Sequence, residues 1–199
     1  MQLDLKFKTR IVQNNNQGHY AIYIFENILE DDYLKEILNK TLELTEKDSM
    51  NYITNVKANM TTYTKMLEDP LYIKFQQIVL SFLHTCLCLR IDHVQIPVYN
   101  FVDFWGMKFE KGQNTIRHTH FGDSAWSGIF CINSDDQAGK VVFPDMDFQD
   151  MMKSNSLYLF PSIMPHYTLA HLSDKPRVGL SFNLQVLREF NLESKETKI

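Results

Sequence analysis

The chain has 199 residues, 44% of them hydrophobic and 22% charged, with a net charge of -4. That balance predicts one globular domain with a sizeable core. It argues against non-specific binding to nucleic acid, which needs a basic surface to release counterions, and no apolar run reaches the length of a membrane span.

The cysteines Cys86, Cys88 and Cys131 are too few and too irregularly spaced for a disulfide framework, and the opening MQLDLKFKTR has no apolar signal-peptide core. A reducing, cytoplasmic compartment is therefore expected. Within 1–92, YAIYIFENIL (20–29) begins as a β-rich run. Asp31 and Asp32 are placed to cap a helix whose apolar residues Leu34, Ile37, Leu38 and Leu42 keep helical spacing. The stretch 49–66 has no period and is expected as an extended loop. Pro70 opens a second helix with the apolar stripe Leu71, Phe75, Ile78, Val79, Phe82, Leu83, Cys86 and Leu87. On it, His84 and Cys88 are four apart, a spacing that without a further partner is structural more often than metal-binding.

From residue 93 the helical period gives way to short runs: VQIPVYNFVDFW, GMKFE, AWSGIFCIN, KVVF, SLYLFP, HYTLAHL and RVGLSFNLQVL. Each is bounded by Gly, Pro, Asn, Asp or Ser, the pattern of a sandwich or barrel of short strands. With 14 Phe and 9 Tyr the chain is rich in residues that suit such a core. The fold class expected is α+β, mainly β, with 1–92 as a supporting helical region, 93–186 as the β core and 187–199 as a polar tail. Residues 144–155 read as a long loop, a potential lid, with Asp145, Asp147 and Asp150 solvated and Met151 and Met152 as a flexible apolar surface.

Three places carry chemistry. In IRHTHFGDSAWSG (116–128), residues two apart on a strand share a face, so Ile116, His118 and His120 would project together as a metal clamp. A third ligand must come from elsewhere, and His166 in FPSIMPHYT is the best placed. A lone strand histidine is more often a hydrogen-bonding residue than a ligand, so the weight rests on the last strand. There Arg177, Gly179, Ser181 and Asn183 share one face and Val178, Leu180, Phe182 and Leu184 the other. A guanidinium donates two parallel bonds to a carboxylate, and glycine leaves room beside it, so an anionic small molecule fits this face. Asp123 also contends for the metal, although Gly122-Asp123 is ordinary turn chemistry. His171 reads as a turn residue before Ser173-Asp174.

The order of these segments (DFWGMKFEKG, HTH, WSGIFCIN, a Gly-Lys strand ending in FPD, SLYLFPSIMPH, then RVGLSFN) resembles the 2-oxoglutarate/Fe(II)-dependent oxygenases, in particular the prolyl-hydroxylase-like branch. The resemblance spans roughly residues 93–186. It implies a double-stranded β-helix of the jelly-roll or cupin kind with helices packed on the sheet, Fe(II) and 2-oxoglutarate as cofactor and cosubstrate, and a hydroxylase using dioxygen on an unidentified substrate. It further implies His118, His120 and His166 as metal ligands and Arg177 with Ser181 on the distal carboxylate. Tyr99, Tyr158 and Asn183 would be additional pocket residues. Position 120 departs from the family, which has Asp or Glu there, so either His120 replaces the carboxylate or Asp123 supplies it. A three-histidine dioxygenase needing no 2-oxoglutarate, and a non-catalytic metal- or carboxylate-binding β-helix protein, are the alternative readings.

Overall fold

The computed structural model describes residues 8–13, 20–47, 54–88, 97–120, 122 and 124–187. Asp123 and nearly all of the polar tail lie outside them. The chain runs β1 (Lys8–Gln13), β2 (Ala21–Glu26), α1 (Asp31–Lys47), β3 (Val56–Lys57), β4 (Asn59–Met60) and α2 (Pro70–Cys88). There follow β5 (Tyr99–Phe109), β6 (Asn114–His118), β7 (Trp126–Asn133), β8 (Val141–Phe143), a 3-10 turn at Pro144–Met146 and β9 (Phe148–Asp150). β10 (Ser156–Pro161), β11 (His166–Thr168) and β12 (Arg177–Val186) complete the order.

These strands form two antiparallel sheets. The larger has the order β1-β2-β10-β7-β12-β5-β4 and the smaller β3-β6-β11-β8-β9. Strand alternation sorts the side chains. Tyr23, Phe25, Phe130, Leu157, Leu159, Leu180 and Phe182 face α1 and α2, and Phe75 of α2 packs among Phe104, Phe130 and Phe182. Each ring so buried contributes about 1.5–3 kcal/mol. The opposite residues of the same strands, Ile22, Ile24, Cys131, Tyr158 and Phe160, meet Val141 and Phe143 of the smaller sheet in a second core. The α+β, mainly β expectation therefore holds, with the helices on one face of the larger sheet and the smaller sheet on the other.

Several local expectations are corrected. The backbone N–H of Leu34 bonds the Glu30 carbonyl, so Glu30 caps α1 and Asp31 and Asp32 lie inside its first turn, where they suit the helix dipole. The buried stripe of α1 is Tyr33, Ile37, Thr41, Leu44 and Thr45, rotated from the leucine stripe. Its threonines are tolerated because Thr41 Oγ1 bonds Tyr72 Oη at 2.8 Å and Thr45 Oγ1 donates to the Thr41 carbonyl at 2.9 Å. The described part of 49–66 is not a plain loop, since β3 pairs with β6 and β4 with β5, tying it to both sheets. β5 runs unbroken through Gly106, where a Cβ would lie 2.4 Å from Met66 Cε. Between 144 and 155 the chain forms a turn and β9 rather than a lid. Asp145 pairs with Arg117, Asp150 pairs with Arg10 and accepts from Tyr158 Oη, and Met152 is buried.

The connection from β2 into α1 is pinned by one side chain. Asn155, at φ +58°, accepts from the Leu29 N–H at 3.0 Å and donates to the Leu29 carbonyl at 2.8 Å. Asparagine tolerates this left-handed conformation better than most residues. Asn155→Ala removes both bonds from buried backbone groups and should cost about 2–4 kcal/mol, read as a lower urea midpoint with an unchanged slope. A midpoint equal to that of the wild type would show that this bridge does not hold the connection.

Candidate metal centre and its pocket

His118, His120 and His166 converge at one end of the space between the sheets, with one ligand nitrogen from each lying within 4.8 Å of the others. Ring centroids are 4.4 Å apart for His118 and His166, 4.9 Å for His118 and His120, and 5.2 Å for His120 and His166. The His118–His166 contact is a cross-strand pair of β6 and β11.

The convergence does not arise from simple alternation. His166 pairs with His118 but Thr168 pairs with Thr115, so β6 carries a bulge of one extra residue. The bulge resets the phase. Thr115 and His118 both line the pocket, while Ile116, expected on the face of His118, is 46% exposed. β6 ends at His118, so His120 lies beyond the strand and is fixed instead by its backbone N–H donating to the Ser162 carbonyl at 2.9 Å.

The imidazoles are prepared as neutral donors. Nδ1–H of His118 donates to the Ile116 carbonyl at 2.7 Å and Nδ1–H of His166 to the Met164 carbonyl at 3.0 Å. A carbonyl can only accept, so the proton is on Nδ1 and the Nε2 lone pair is free. Burial lowers all three pKa values, to about 4 for His120, with His118 adding to the shift at His120 and both neighbours adding to it at His166. Phe143 and Phe160 flank the His166 ring at 5.9 and 4.7 Å. The residues present thus fit a divalent transition metal: three neutral nitrogen donors on one side, with no protein carboxylate among the described residues of the cluster.

The same pocket holds Arg177. The side chain is buried, its guanidinium 4.2 Å from the centre of the Phe109 ring, with Nη1 donating to the Gly139 carbonyl at 2.8 Å and Nη2 3.5 Å from Thr168 Oγ1. Among the described residues no carboxylate pairs with it. Burial lowers its pKa to about 10, which leaves it charged at neutral pH. A buried cation without a counterion costs several kcal/mol, so this arrangement calls for an anion. Ser181 lines the same pocket, and among the described residues its hydroxyl meets only the weak acceptor Met107 Sδ at 3.8 Å. Gly179 also lines it, but for a backbone reason: a Cβ there would lie 2.9 Å from the Phe130 carbonyl oxygen.

The other expected site residues fall elsewhere. Tyr99 packs with the helices, because Val102 is an extra residue opposite Asn183 and Leu184 and flips the strand's phase beyond it. Tyr158 faces the inner core, but its hydroxyl donates to Asp150 at 2.9 Å rather than into the Arg177 pocket. Asn183 lines an adjoining cleft rather than that pocket. His171 is buried, with Nε2 donating to the Lys175 carbonyl at 2.6 Å. His84 lies on α2 beside Pro97 and Tyr99, and the Cys88 side chain is outside the described residues. Asn55, Tyr63, Asp103 and Trp105, which line the adjoining cleft with His118 and His120, were not anticipated. Alternation along DFWGMKF puts Asp103 and Trp105 on one face and was there to be read; Asn55 and Tyr63 lie in the aperiodic stretch.

No protein-family model and no curated protein matches this sequence. Solved structures do. A viral collagen prolyl hydroxylase of Paramecium bursaria Chlorella virus-1, in complex with 2-oxoglutarate, aligns with TM-score 0.64 at 16% identity, covering 87% of this chain and 100% of its own. A prolyl-4-hydroxylase of Pseudomonas putida aligns with TM-score 0.66 at 11% identity, covering 87% and 97%. The non-haem α-ketoglutarate-dependent epimerase of nogalamycin biosynthesis aligns with TM-score 0.66 at 11% identity, covering 83% and 77%. The fold of this chain is therefore the double-stranded β-helix of the 2-oxoglutarate/Fe(II)-dependent oxygenases.

Proposed function

We propose that this protein is an Fe(II)- and 2-oxoglutarate-dependent oxygenase, with His118, His120 and His166 as the metal ligands. The observation that carries the reading is one pocket lined by a three-nitrogen donor set and by a buried Arg177 that has no carboxylate partner among the described residues. Bound there, the metal and cosubstrate would supply the oxidising power from dioxygen, with 2-oxoglutarate converted to succinate and carbon dioxide. The rest falls to the chain. Arg177, braced by Gly139 and Phe109, holds the distal carboxylate by charge-assisted bonds, and Ser181 adds a hydroxyl donor. Apolar walls from Met107, Phe109 and Phe160 keep water from competing for those bonds. Hydroxylation is the simplest outcome, although the same fold also carries an epimerase.

His120 favours one second reading, a three-histidine dioxygenase without cosubstrate. Arg177 weighs against it, because that reaction leaves a buried guanidinium with nothing to neutralise.

Metal binding tests the ligand set. Metal-free protein given Co(II) at about 100 times its Kd should gain about 2.7 kcal/mol, a rise in Tm of about 5–10 °C for a chain of this size. His120→Ala should lose most of that rise, and a full rise in the variant would remove His120 from the ligand set. Cosubstrate binding tests Arg177. On Ni(II)-loaded protein, Arg177→Gln should weaken 2-oxoglutarate about 10–100-fold by calorimetry while leaving the metal content intact. Equal affinity in the variant, or oxygen uptake that needs no 2-oxoglutarate, would favour the second reading.

A further inference from the structure

We propose that the cleft formed by Asn55, Tyr63, Asp103, Trp105 and Asn183 is the substrate subsite, and that it takes a cationic group, an ammonium or guanidinium. This rests on the oxygenase reading for the word substrate, but the cleft's chemistry stands on its own geometry. His118, His120 and Trp105 line both this cleft and the Arg177 pocket, so two of the three histidines sit where the two meet. A molecule held in the cleft lies beside the metal ligands without displacing whatever Arg177 holds.

Asp103 is the carboxylate of the cleft. It faces Asn183 across the β5–β12 pair, and a directed chain of hydrogen bonds orients it. Ser127 Oγ donates to Asn183 Oδ1 at 2.8 Å, which turns Asn183 Nδ2 toward Asp103 Oδ2, also at 2.8 Å. Ser162 Oγ lies 2.9 Å from Ser127 Oγ and, with that proton already spent, acts as its donor. The chain uses one oxygen of Asp103. Among the described residues no lysine or arginine pairs with it.

The walls fit a cation as well. Tyr63 meets Trp105 edge to face, with ring centroids 5.1 Å apart and planes at 83°. An aromatic face turned to the cleft attracts a cation through its quadrupole, as the carboxylate does through its charge. An anionic substrate would meet Asp103 at close range and be rejected. The two charges thus sort the two ligands: carboxylate toward Arg177, cation toward Asp103.

The test uses butyltrimethylammonium and n-butylguanidinium as probes, since neither is a good metal ligand, with butanol and butyrate as controls. Binding to the full chain is followed by saturation-transfer NMR, with and without Zn(II) and 2-oxoglutarate. Both cations should bind, butanol should not at the same concentration, butyrate should not once 2-oxoglutarate occupies the Arg177 pocket, and Asp103→Asn should weaken the cations at least about fivefold. Asparagine keeps an acceptor for Asn183, so the variant retains the chain of bonds that supports the strand pair. Its metal content and 2-oxoglutarate affinity should match the wild type. Butanol binding as well as the cations, or cation binding undiminished in Asp103→Asn, overturns the proposal. Loss of metal from Asp103→Asn also overturns it, by making Asp103 part of the metal centre. Failure of the wild type to bind 2-oxoglutarate while it still binds the cations sinks the oxygenase reading and leaves the cation site standing.

Discussion

β12 is hydrogen-bonded on both sides, to β5 and β7, and buried along most of its length, yet one of its faces is polar. That constraint shapes the interior. Val178, Leu180, Phe182 and Leu184 satisfy the helices, while Arg177, Ser181 and Asn183 are committed to a space between the sheets that apolar packing cannot fill. A polar face at the centre of a sheet is stable only if its groups find partners or leave room for a ligand. Asn183 finds Asp103 and Ser127; Arg177 finds a carbonyl and a hydroxyl but no countercharge among the described residues.

The charges then divide the space. Burial keeps the three imidazoles neutral, so they are donors for a cation rather than cations themselves. Groups of opposite sign line the two spaces that share His118 and His120: Arg177 in the pocket and Asp103 in the adjoining cleft. In the ligand set proposed above, with histidine at position 120, no carboxylate would offset the two charges of a divalent metal. A dianionic cosubstrate would offset them, which links the unusual donor set to the demand that Arg177 makes for an anion.

Much of this was legible in the residues. The inward and outward faces of RVGLSFNL follow from the two-residue period, and both helices and most of the strands lie where their patterns put them. What period alone misses is the bulge. The extra residue in β6 puts His118 in the pocket and Ile116 outside, and the extra residue at Val102 sends Tyr99 to the helices. Both depend on cross-strand register, which is a property of two segments and is not written in either one. Tyr158 faces the inner core, but its hydroxyl is taken by Asp150, a partner contributed by the hairpin of β8 and β9. Asn55 and Tyr63 reach the cleft because β3 and β4 tie an aperiodic segment to both sheets, and no local pattern marks such a bridge.

The measurement closest to the central claim is an anaerobic titration of the Fe(II)-loaded protein with 2-oxoglutarate, followed by visible absorption. Chelation of the iron by the cosubstrate is expected to produce a weak charge-transfer band that needs both components and saturates near one equivalent. A spectrum unchanged by 2-oxoglutarate at millimolar concentration would contradict the account.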